Sequence, residues 1–440
     1  MNSERNLAYA KTLSALIQAE TVSAVGQTDL TPFYQFHDLL RSFFPKLFAL
    51  VEEEIFDGSL LLRWKGTDDR LEPVLFMSHH DVVEASGNWT HPPFSGAIAD
   101  GKLWGRGTLD TKGNLWAILQ AAEELAASGF QPRRDTYFVS ACNEETTGHG
   151  GDTISSELKK RGLRFFAVYD EGGMIVKKPI VGVEGTFAMI GVGEKGMVNL
   201  KFIARSKGGH ASTPGRNTPL VRLGKFMAAV DKSNCFKIKM SPTVQEMFRR
   251  MAPGTKGVMN AVCTRMNQLH PLVAPAAAFA IPAAGAMVRT TIAFTMASGS
   301  EGSNVLPQEA SVIGNMRFSH HQGKKGSINA ISKLAKRYGI ETVVLDESVE
   351  SPLTDFNGAP FKLVEEAVSH VFPDVHCAPY VMNGASDSRY YSRVSDHCIR
   401  FAPFVIDNKQ LDSVHAIDEN VDVASLSGAV DFFKYMMEHN

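Results

Sequence analysis

Cysteine is scarce in this sequence, and its pattern argues against a disulfide-rich protein. The 440 residues contain five cysteines, at positions 142, 235, 263, 377 and 398. Their number is odd and no two have the Cys-x-x-Cys spacing, so we expect no disulfide framework. Free thiols are typical of a reducing compartment, and the sequence therefore predicts a cytoplasmic protein.

An excess of charge of either sign is also lacking. The 45 Lys and Arg residues face 47 Asp and Glu residues, which gives a formal net charge of −2. The sequence has no arginine-rich stripe with interleaved aromatic residues. This balance excludes a strongly basic nucleic-acid binder and a polybasic membrane binder.

The sequence has no hydrophobic run that reaches the length of a membrane span. Residues 271–288, PLVAPAAAFAIPAAGAMV, are 18 uncharged residues, whereas a transmembrane helix needs about 20. Pro271, Pro275 and Pro282 should interrupt helical hydrogen bonding there, so we expect a buried or interface segment. Residues 1–20 carry acidic side chains and lack the apolar core of a signal peptide, so we expect an amphipathic helix of the mature protein.

The first half of the sequence alternates strand and helix patterns. The stretches VLFMSHHD (74–81), TYFVSAC (136–142) and RFFAVYD (164–170) are typical of buried strands, and residues 114–128 have helical spacing up to Gly129. A chain of this length is too long for one core, so we expect two domains. The first is predicted to be α/β, with a mainly parallel sheet and helices on both faces.

The pattern changes near residue 195, which predicts an inserted second domain. KGMVNLKFIARS (195–206) and ASVIGNMRF (310–318) alternate apolar and polar residues, as half-exposed strands do. A helix pattern follows each of them. We therefore expect an α+β domain at 195–349, inserted between the two parts of the catalytic domain at 1–194 and 350–440.

Two shorter segments also bear on the fold. GVGEKG (191–196) matches the Gly-x-Gly-x-x-Gly pattern of dinucleotide-binding folds, where it would open a helix. A strand pattern follows it here, so we interpret these glycines as turn residues. RFAPFVI (400–406) is predicted to be an apolar strand.

Acids and histidines follow the predicted strands at several places. They are His79-His80-Asp81, Asp110, Glu144-Glu145, Asp170-Glu171 and, late in the chain, His415. In open α/β sheets, ligands bind beyond the carboxyl ends of strands. Neighbouring acids disfavour each other's ionisation unless a cation holds them together, and mixed imidazole and carboxylate ligands suit zinc. Each cluster alone could be a solvated loop, a turn or a helix cap, but their joint occurrence favours a metal site.

Short motifs follow one another along nearly the whole chain: SHHDVV (78–83), HPPFSG (91–96), LWGRGTLDTKG (103–113), NEETTGHGG (143–151), YDEGG (169–173), GGHAS (208–212), RTTIAFTMASG (289–299), NVLP (304–307), NMRF (315–318), ASDSRYY (385–391) and SVHAIDE (413–419). In this order they resemble the M20 family of metallopeptidases, and most of all its carboxypeptidase S and N-acyl-amino-acid hydrolase branch. The linked set is specific to the family, although its single members are not.

The resemblance implies a zinc-exopeptidase-like catalytic domain that binds two zinc ions, with Co²⁺ or Mn²⁺ as substitutes. Carried onto this sequence, His79 would bind one metal and Asp110 would bridge both. Glu145 and His415 would bind the second metal.

The resemblance also implies that Asp170 joins His79 on the first metal. Its neighbour Glu171 stays open as the alternative ligand. The inserted domain would serve as a lid and as the surface of a homodimer.

Asp81 and Glu144 have roles that follow from their positions beside ligands. Asp81, two residues beyond His79, can accept the proton of the second ring nitrogen and so fix the tautomer. Glu144 precedes Glu145, so it can stand beside the metals, take a proton from the attacking water and pass it to the leaving amine. His80 is interpreted as a supporting or pocket-lining imidazole.

Four further residues are candidates for substrate contacts by resemblance. His210 would reach the active site of a partner subunit and stabilise the developing oxyanion. Asn304 and Arg317 would hold a free carboxylate of the substrate, which guanidinium binds in bidentate fashion. Arg389 would help to orient the site. Alternatively, Arg317 is a solvated strand end and Asn304 an ordinary turn residue.

The predicted function is amide hydrolysis by metal-activated water, acting on a short peptide at its C-terminal residue or on an N-acyl amino acid. The apolar residues 271–299 resemble the lid of carboxypeptidase S relatives, which favours hydrophobic substrate groups. Two alternatives stay open: an inactive relative that binds ligands or partners, and an enzyme that mainly condenses a fatty acid with an amino acid. We expect neither nucleic acid nor a membrane as partner.

Overall fold

The computed structural model describes residues 3–146, 148–232, 235–280, 282–347 and 349–440. Within them the strands are β1 (Val51–Phe56), β2 (Ser59–Trp64), β3 (Val74–Met77), β4 (Ile98–Ala99), β5 (Lys102–Trp104), β6 (Thr136–Ser140), β7 (Ala167–Asp170), β8 (Ile175–Lys177), β9 (Thr186–Glu194), β10 (Gly196–Arg205), β11 (Gly209–His210), β12 (Thr291–Ser298), β13 (Val305–Leu306), β14 (Glu309–Phe318), β15 (Ile340–Glu347), β16 (His376–Met382), β17 (Cys398–Arg400), β18 (Val405–Ile406) and β19 (Asn420–Asp422). The helices are α1 (Ser3–Gln18), α2 (Thr31–Phe43), α3 (Pro45–Phe48), α4 (Lys112–Ala127), α5 (Gly150–Lys160), α6 (Pro219–Lys232), α7 (Pro242–Met251), α8 (Gly257–Thr264), α9 (Met266–Ala280), α10 (Pro282–Val288), α11 (Gly323–Lys336), α12 (Ala359–Val371), α13 (Ser388–Tyr391), α14 (Asn408–Ser413) and α15 (Leu426–His439).

The large sheet has the strand order β1-β2-β6-β3-β7-β17-β9-β8-β18, and β16 pairs with β9. At its centre β6, β3, β7 and β17 run parallel to one another. At one edge β1 and β2 are antiparallel. The predicted α/β fold with a mainly parallel sheet is therefore confirmed.

Helices cover both faces of the large sheet, as strand β3 illustrates. Successive side chains of a strand point to opposite faces. Val74 and Phe76 pack into the core that α1, α4 and α15 cover, whereas Leu75 and Met77 pack with apolar residues of α5 on the other face. A strand buried on both faces has no polar position, which explains why 74–77 is a continuous apolar run.

Helix α4 begins beside the loop that carries Asp110 and ends as the sequence predicts. Gly129 follows it with a positive φ of 80°. The amide of Gly129 donates to the carbonyl of Ala126, and the amide of Phe130 donates to the carbonyl of Leu125. This pattern closes a helix on glycine, which adopts the left-handed conformation without a steric penalty.

The small sheet has the order β12-β14-β10-β15, and its neighbouring strands are antiparallel. Helices α6 and α11 pack on one face, where Leu223 and Ile331 join a core separate from that of the large sheet. The opposite face carries both polar residues, such as Asn199 and Arg317, and apolar residues, such as Met296 and Ile313. Helices α7 to α10 instead send apolar side chains into the core of the large sheet. The domain limits at 195 and 349 stay a prediction.

The segment 271–288 differs from its predicted structure. Pro271 and Pro275 lie inside helix α9, so the expected interruption of the helix by these prolines is wrong. Both lie on the exposed side of α9, where carbonyl groups that lose a helical donor can bind water. Among the described residues, no helix is both long enough and apolar enough to cross a membrane.

Two other local predictions are wrong for tertiary reasons. RFAPFVI is not one strand: β17 ends at Arg400, and the amide of Ala402 donates to the carbonyl of Gly173 before β18 begins at Val405. The glycines of GVGEKG are not turn residues, because they lie in β9 and at the start of β10. A side chain on Gly196 would overlap the ring of Phe318, so close packing accounts for the glycine there.

Candidate metal centre

Three of the predicted acid and histidine clusters lie at one edge of the large sheet. His79 follows β3, Glu144 and Glu145 follow β6, and Asp170 ends β7. These strands are parallel neighbours, so their carboxyl ends meet at the same edge. Asp110 lies on the loop between β5 and α4, and His415 follows α14.

Asp110 lies between two histidines. Its Oδ1 is 3.3 Å from Nε2 of His79, and its Oδ2 is 2.9 Å from Nε2 of His415. Nε2 of His415 is also 3.1 Å from Oε1 of Glu145. Ligand atoms of His79, Asp110 and Glu145 all lie within 4.8 Å of one another, which is compatible with metal binding. The structure thus brings four of the five predicted ligands together.

Asp81 connects the His79 loop to the turn of Glu144 and Glu145. Its Oδ1 lies 3.3 Å from Nδ1 of His79 and its backbone carbonyl oxygen 3.0 Å from the same nitrogen, so that Nε2 of His79 is turned toward Asp110. Its two carboxylate oxygens also accept the backbone amides of Glu144 and Glu145, each at 3.1 Å. The buried Asp81 therefore orients one histidine and fixes the acidic turn beside it, which goes beyond the single role predicted from the sequence.

The electrostatics of the cluster favour positive charge between its carboxylates. Hydrogen bonds with Asp110 and Glu145 raise the pKa of His415 to about 10. Burial opposes a charge on His79, but hydrogen bonds with Asp110 and Asp81 outweigh it and raise its pKa. Burial would raise the pKa of Asp110, yet hydrogen bonds with the two histidines hold it below its ordinary value. The same negatively charged carboxylates would stabilise a divalent cation bound between them.

Glu144 stands beside the cluster without joining the contacts of Asp110. Its Oε1 lies 3.8 Å from Nη1 of Arg389, and only 12% of its side chain is exposed. Burial raises the pKa of Glu144 well above its ordinary value. A carboxyl group in such surroundings is suited to exchanging protons, as the sequence predicts for this residue.

Asp170 and Glu171 differ in how their carboxylates are engaged. Oδ1 of Asp170 accepts the amide of Glu171 at 2.8 Å, and Oδ2 accepts the amide of Ser388 at 2.9 Å. Burial and the charges of Asp170 and Asp110 raise the pKa of Glu171. In the described part of the chain, no hydrogen bond or ion pair occupies the Glu171 carboxylate. The structure does not bring Asp170 into the cluster of the other ligands.

Arg317 and Arg389 lie on different elements, and Arg389 is the one that contacts the site. Arg317 is on the face of the small sheet opposite helices α6 and α11, where its Nε donates to Oδ1 of Asn315 at 3.1 Å. It lines a cavity of about 470 Å³ together with Asn199, Met296 and other residues of that face. Arg389 is buried on α13, beside Glu144.

His210 ends β11, and Asn304 directly precedes β13, the strand that pairs with β11. The amide of Ala211 donates to the carbonyl of Asn304 at 2.9 Å. Nδ1 of His210 is 2.8 Å from Oγ of Ser212, and the histidine is exposed. Over the described ranges, neither residue is within hydrogen-bonding distance of the predicted metal ligands.

Two further buried residues lie near the site. His80 was predicted to be a supporting or pocket-lining residue, and Asp387 was not predicted. His80 stacks on Phe36 with ring centroids 5.3 Å apart, and its Nδ1 is 2.8 Å from Oγ of Ser140. It is thus a packed histidine of the sheet interior. Asp387 has a pKa raised to about 7 by burial, and its carboxylate lies against Gly151. Asp387 was not among the predicted site residues, although it lies in the ASDSRYY motif.

Known proteins resemble this chain in sequence and in fold. The sequence profile of peptidase family M20/M25/M40 matches residues 75–439. A protein named probable carboxypeptidase S-like 2, from Dictyostelium discoideum, is 29% identical over 92% of this chain and 79% of its own length. N-fatty-acyl-amino acid synthase/hydrolase PM20D1 from Bos taurus is 31% identical over 98% of this chain and 87% of its own length. The crystal structure of the M20 family metallo-carboxypeptidase Sso-CP2 from Sulfolobus solfataricus superposes with a TM-score of 0.70 and 16% identity, over 98% of both chains.

Proposed function

This chain belongs to peptidase family M20/M25/M40, a family of hydrolases, and from that premise we propose that it is a di-zinc amide hydrolase. Its substrates are short peptides, from which it releases the C-terminal residue, or N-acyl amino acids. The observation that carries the proposal is Asp110, which presents one carboxylate oxygen to each of two histidines. A bridging carboxylate needs this arrangement, because each oxygen must reach a different metal.

The donor set of the cluster fits zinc. Imidazole nitrogen and carboxylate oxygen are its common ligands in proteins. His79 would hold the first ion, Glu145 and His415 the second, and Asp110 both, with Co²⁺ or Mn²⁺ as substitutes. The contact of Asp81 with the far nitrogen of His79 supports this assignment, because metal-bound histidines are usually oriented in this way.

The remaining ligand of the first ion is Asp170 or Glu171. The sequence favours Asp170 by its Asp-Glu-Gly-Gly motif, whereas the structure supports Glu171, whose carboxyl group lies close enough to Asp110 and His79 for their charges to shift its pKa. We propose Glu171 as the better placed of the two. Zinc analysis of Asp170→Asn and Glu171→Gln decides between them, since only loss of the true ligand lowers the affinity for the first ion directly.

The chain's own residues then divide the work of hydrolysis. Zinc held by these ligands would supply two effects, a lower pKa of the attacking water and polarisation of the scissile carbonyl. Glu144 takes the proton of the attacking water at its carboxylate and gives it to the leaving amine. Arg389 holds the Glu144 carboxylate from one side. His210 of a partner subunit would stabilise the oxyanion, and a homodimer through the inserted domain is part of the proposal.

Asn304 and Arg317 would bind the free carboxylate of the substrate. The apolar side chains of Met296 and Ile313 line the cavity beside Arg317, and they favour substrates with hydrophobic groups. The relatives named after carboxypeptidase S and after N-fatty-acyl amino acids point to the same two substrate classes. All five cysteines are free, which supports the proposed cytoplasmic location.

A substrate panel tests the proposal. Zinc-loaded protein is incubated with dipeptides of varied C-terminal residue and with N-acyl amino acids of varied chain length, with and without a chelator. We expect chelator-sensitive release of free amino acid. Binding of these compounds without turnover would favour the inactive alternative. Net formation of N-acyl amino acid from fatty acid and amino acid, with no hydrolysis, would favour the condensing alternative.

The Arg317→Met variant tests the carboxylate site. We expect kcat/KM for substrates with a free carboxylate to fall by about 10- to 100-fold, because a charge-assisted hydrogen bond is lost. The corresponding substrate amides should change little. Arg205→Met is the matched control, since Arg205 pairs with Glu309 and Glu341 on the same sheet. Equal losses on acids and amides would refute the role of Arg317.

A further inference from the structure

Glu419 has a fully buried carboxylate that binds the loop of Asp110. Its Oε1 accepts the backbone amides of Gly107 at 3.1 Å, Leu109 at 2.8 Å and Asp110 at 3.1 Å. Its Oε2 accepts Nη1 of Arg106 at 2.7 Å. Both carboxylate oxygens of Glu419 therefore bind donors from one short segment, residues 106–110.

Backbone carbonyl groups of the 416–419 loop accept further hydrogen bonds from the same segment. The amide of Gly105 donates to the carbonyl of Glu419 at 2.9 Å, and Nη2 of Arg106 donates to the carbonyl of Ala416 at 3.0 Å. Strand β19 pairs with β5 next to these contacts, with Asn420 opposite Trp104. Glu419 and Arg106 thus join the loop that carries Asp110 to the loop that carries His415.

Hydrogen bonds between the two loops are needed to position Asp110 and His415, because neither residue lies on a strand of the large sheet. Asp110 and His415 are 305 positions apart in sequence, yet their side chains meet at 2.9 Å. His415 adopts a left-handed backbone conformation with φ of 61°, which a non-glycine residue holds only when its surroundings fix it. Hydrogen bonds to a carboxylate are about twice as strong as neutral ones, so Glu419 can fix the loop geometry more firmly than an amide could.

We infer that Glu419 is a positioning residue of the metal centre: by holding the backbone at 107–110 against the 415–419 loop, it sets the spacing of Asp110 and His415 and hence the affinity of the second metal site. This inference rests on the proposed function. It assigns no contact between Glu419 and metal or substrate, because its carboxylate is already occupied by four donors.

Zinc titration of the Glu419→Gln variant tests the inference. The glutamine oxygen can still accept backbone amides, but its NH₂ group then faces the guanidinium of Arg106, a donor against a donor. We expect the second equivalent of zinc to bind about 10- to 100-fold more weakly than in the wild type, the range found for residues that support metal ligands. The first equivalent should lose less affinity than the second, because Asp81 orients His79 and only the shared ligand Asp110 lies on the loop that Glu419 holds.

The matched control is Glu124→Gln. Glu124 is a part-buried acid that pairs with Arg5 and Lys434 between helices, away from both loops. The Glu124→Gln variant should lower the melting temperature without changing the affinity for either zinc ion. A spectrum of the Co²⁺-loaded protein gives a readout independent of activity, because a displaced ligand changes the visible absorption bands of the second ion.

Two results would overturn the inference. One is a Glu419→Gln variant that binds two zinc ions with wild-type affinities. If that variant does not fold, Arg106→Lys replaces it: lysine keeps the charge but cannot reach both Glu419 and the Ala416 carbonyl, so the second zinc should again bind more weakly. An unchanged second affinity in Arg106→Lys is the other refuting result. Wild-type protein that binds fewer than two zinc ions would instead refute the proposed function itself.

Discussion

The Glu144→Gln variant is expected to keep both zinc ions and to lose about 10²- to 10⁴-fold in kcat, the usual contribution of a general base. Glutamine has nearly the same shape as glutamate but cannot take a proton from water. The side chain of Glu144 stands apart from the Asp110 contacts, and its carboxylate faces Arg389 at 3.8 Å. Its loss therefore removes proton transfer and leaves the donor set of the metals unchanged.

Zinc content and turnover of the same preparation measure this effect. The neighbouring Glu145→Gln variant is the matched control, because it changes the adjacent residue of the same turn. It should weaken binding of the second zinc, since Glu145 contacts His415 at 3.1 Å. Wild-type turnover in Glu144→Gln, or loss of zinc from it, would show that the roles of the two glutamates are assigned wrongly.

The Asp110→Asn variant is expected to hold at most one zinc ion and to lose about 10³-fold or more in kcat/KM. In the proposed bridging role each carboxylate oxygen would bind one metal, whereas asparagine offers a single oxygen and an NH₂ group that cannot bind a metal. Each tenfold loss in rate corresponds to about 1.4 kcal/mol of transition-state stabilisation. A metal ion contributes several kcal/mol of transition-state stabilisation, so the removal of one ion of a pair accounts for a loss of this size.

Metal analysis of Asp110→Asn after dialysis checks this prediction, with Asp152→Asn as control. Asp152 lies in the first turn of α5 and pairs with Arg393 at the surface, so its loss should change neither zinc content nor turnover. Two zinc ions retained by Asp110→Asn would mean that no carboxylate of this residue bridges them. The metal centre would then have to be built on other ligands.

Most of the fold could be predicted because the local order of apolar and polar residues follows the burial of their side chains. The strand at 74–77 is apolar at every position, since both of its faces are covered. Helix α4 ends where Gly129 allows the left-handed turn. The prolines of α9 misled the prediction, because a surface helix can leave carbonyl groups to water that a buried helix could not.

The candidate site was predictable to different degrees at its different loops. The clusters at His79, Glu144 and Asp170 follow strands, so the rule that parallel strands end at one edge already brings them together. The choice between Asp170 and Glu171 could not be made in this way. Strand alternation turns Asp170 toward the amide of Ser388, and that amide comes from a segment more than 200 positions away.

The sequence by itself determined which residue types follow the predicted strands and which fold their spacing favours. Only the tertiary structure decided how Asp110 and His415 meet and which buried acid, Glu419, holds their loops together. The physical reason is that periodicity and turn preferences are local, whereas these contacts depend on the pairing of β5 with β19, strands far apart in the chain.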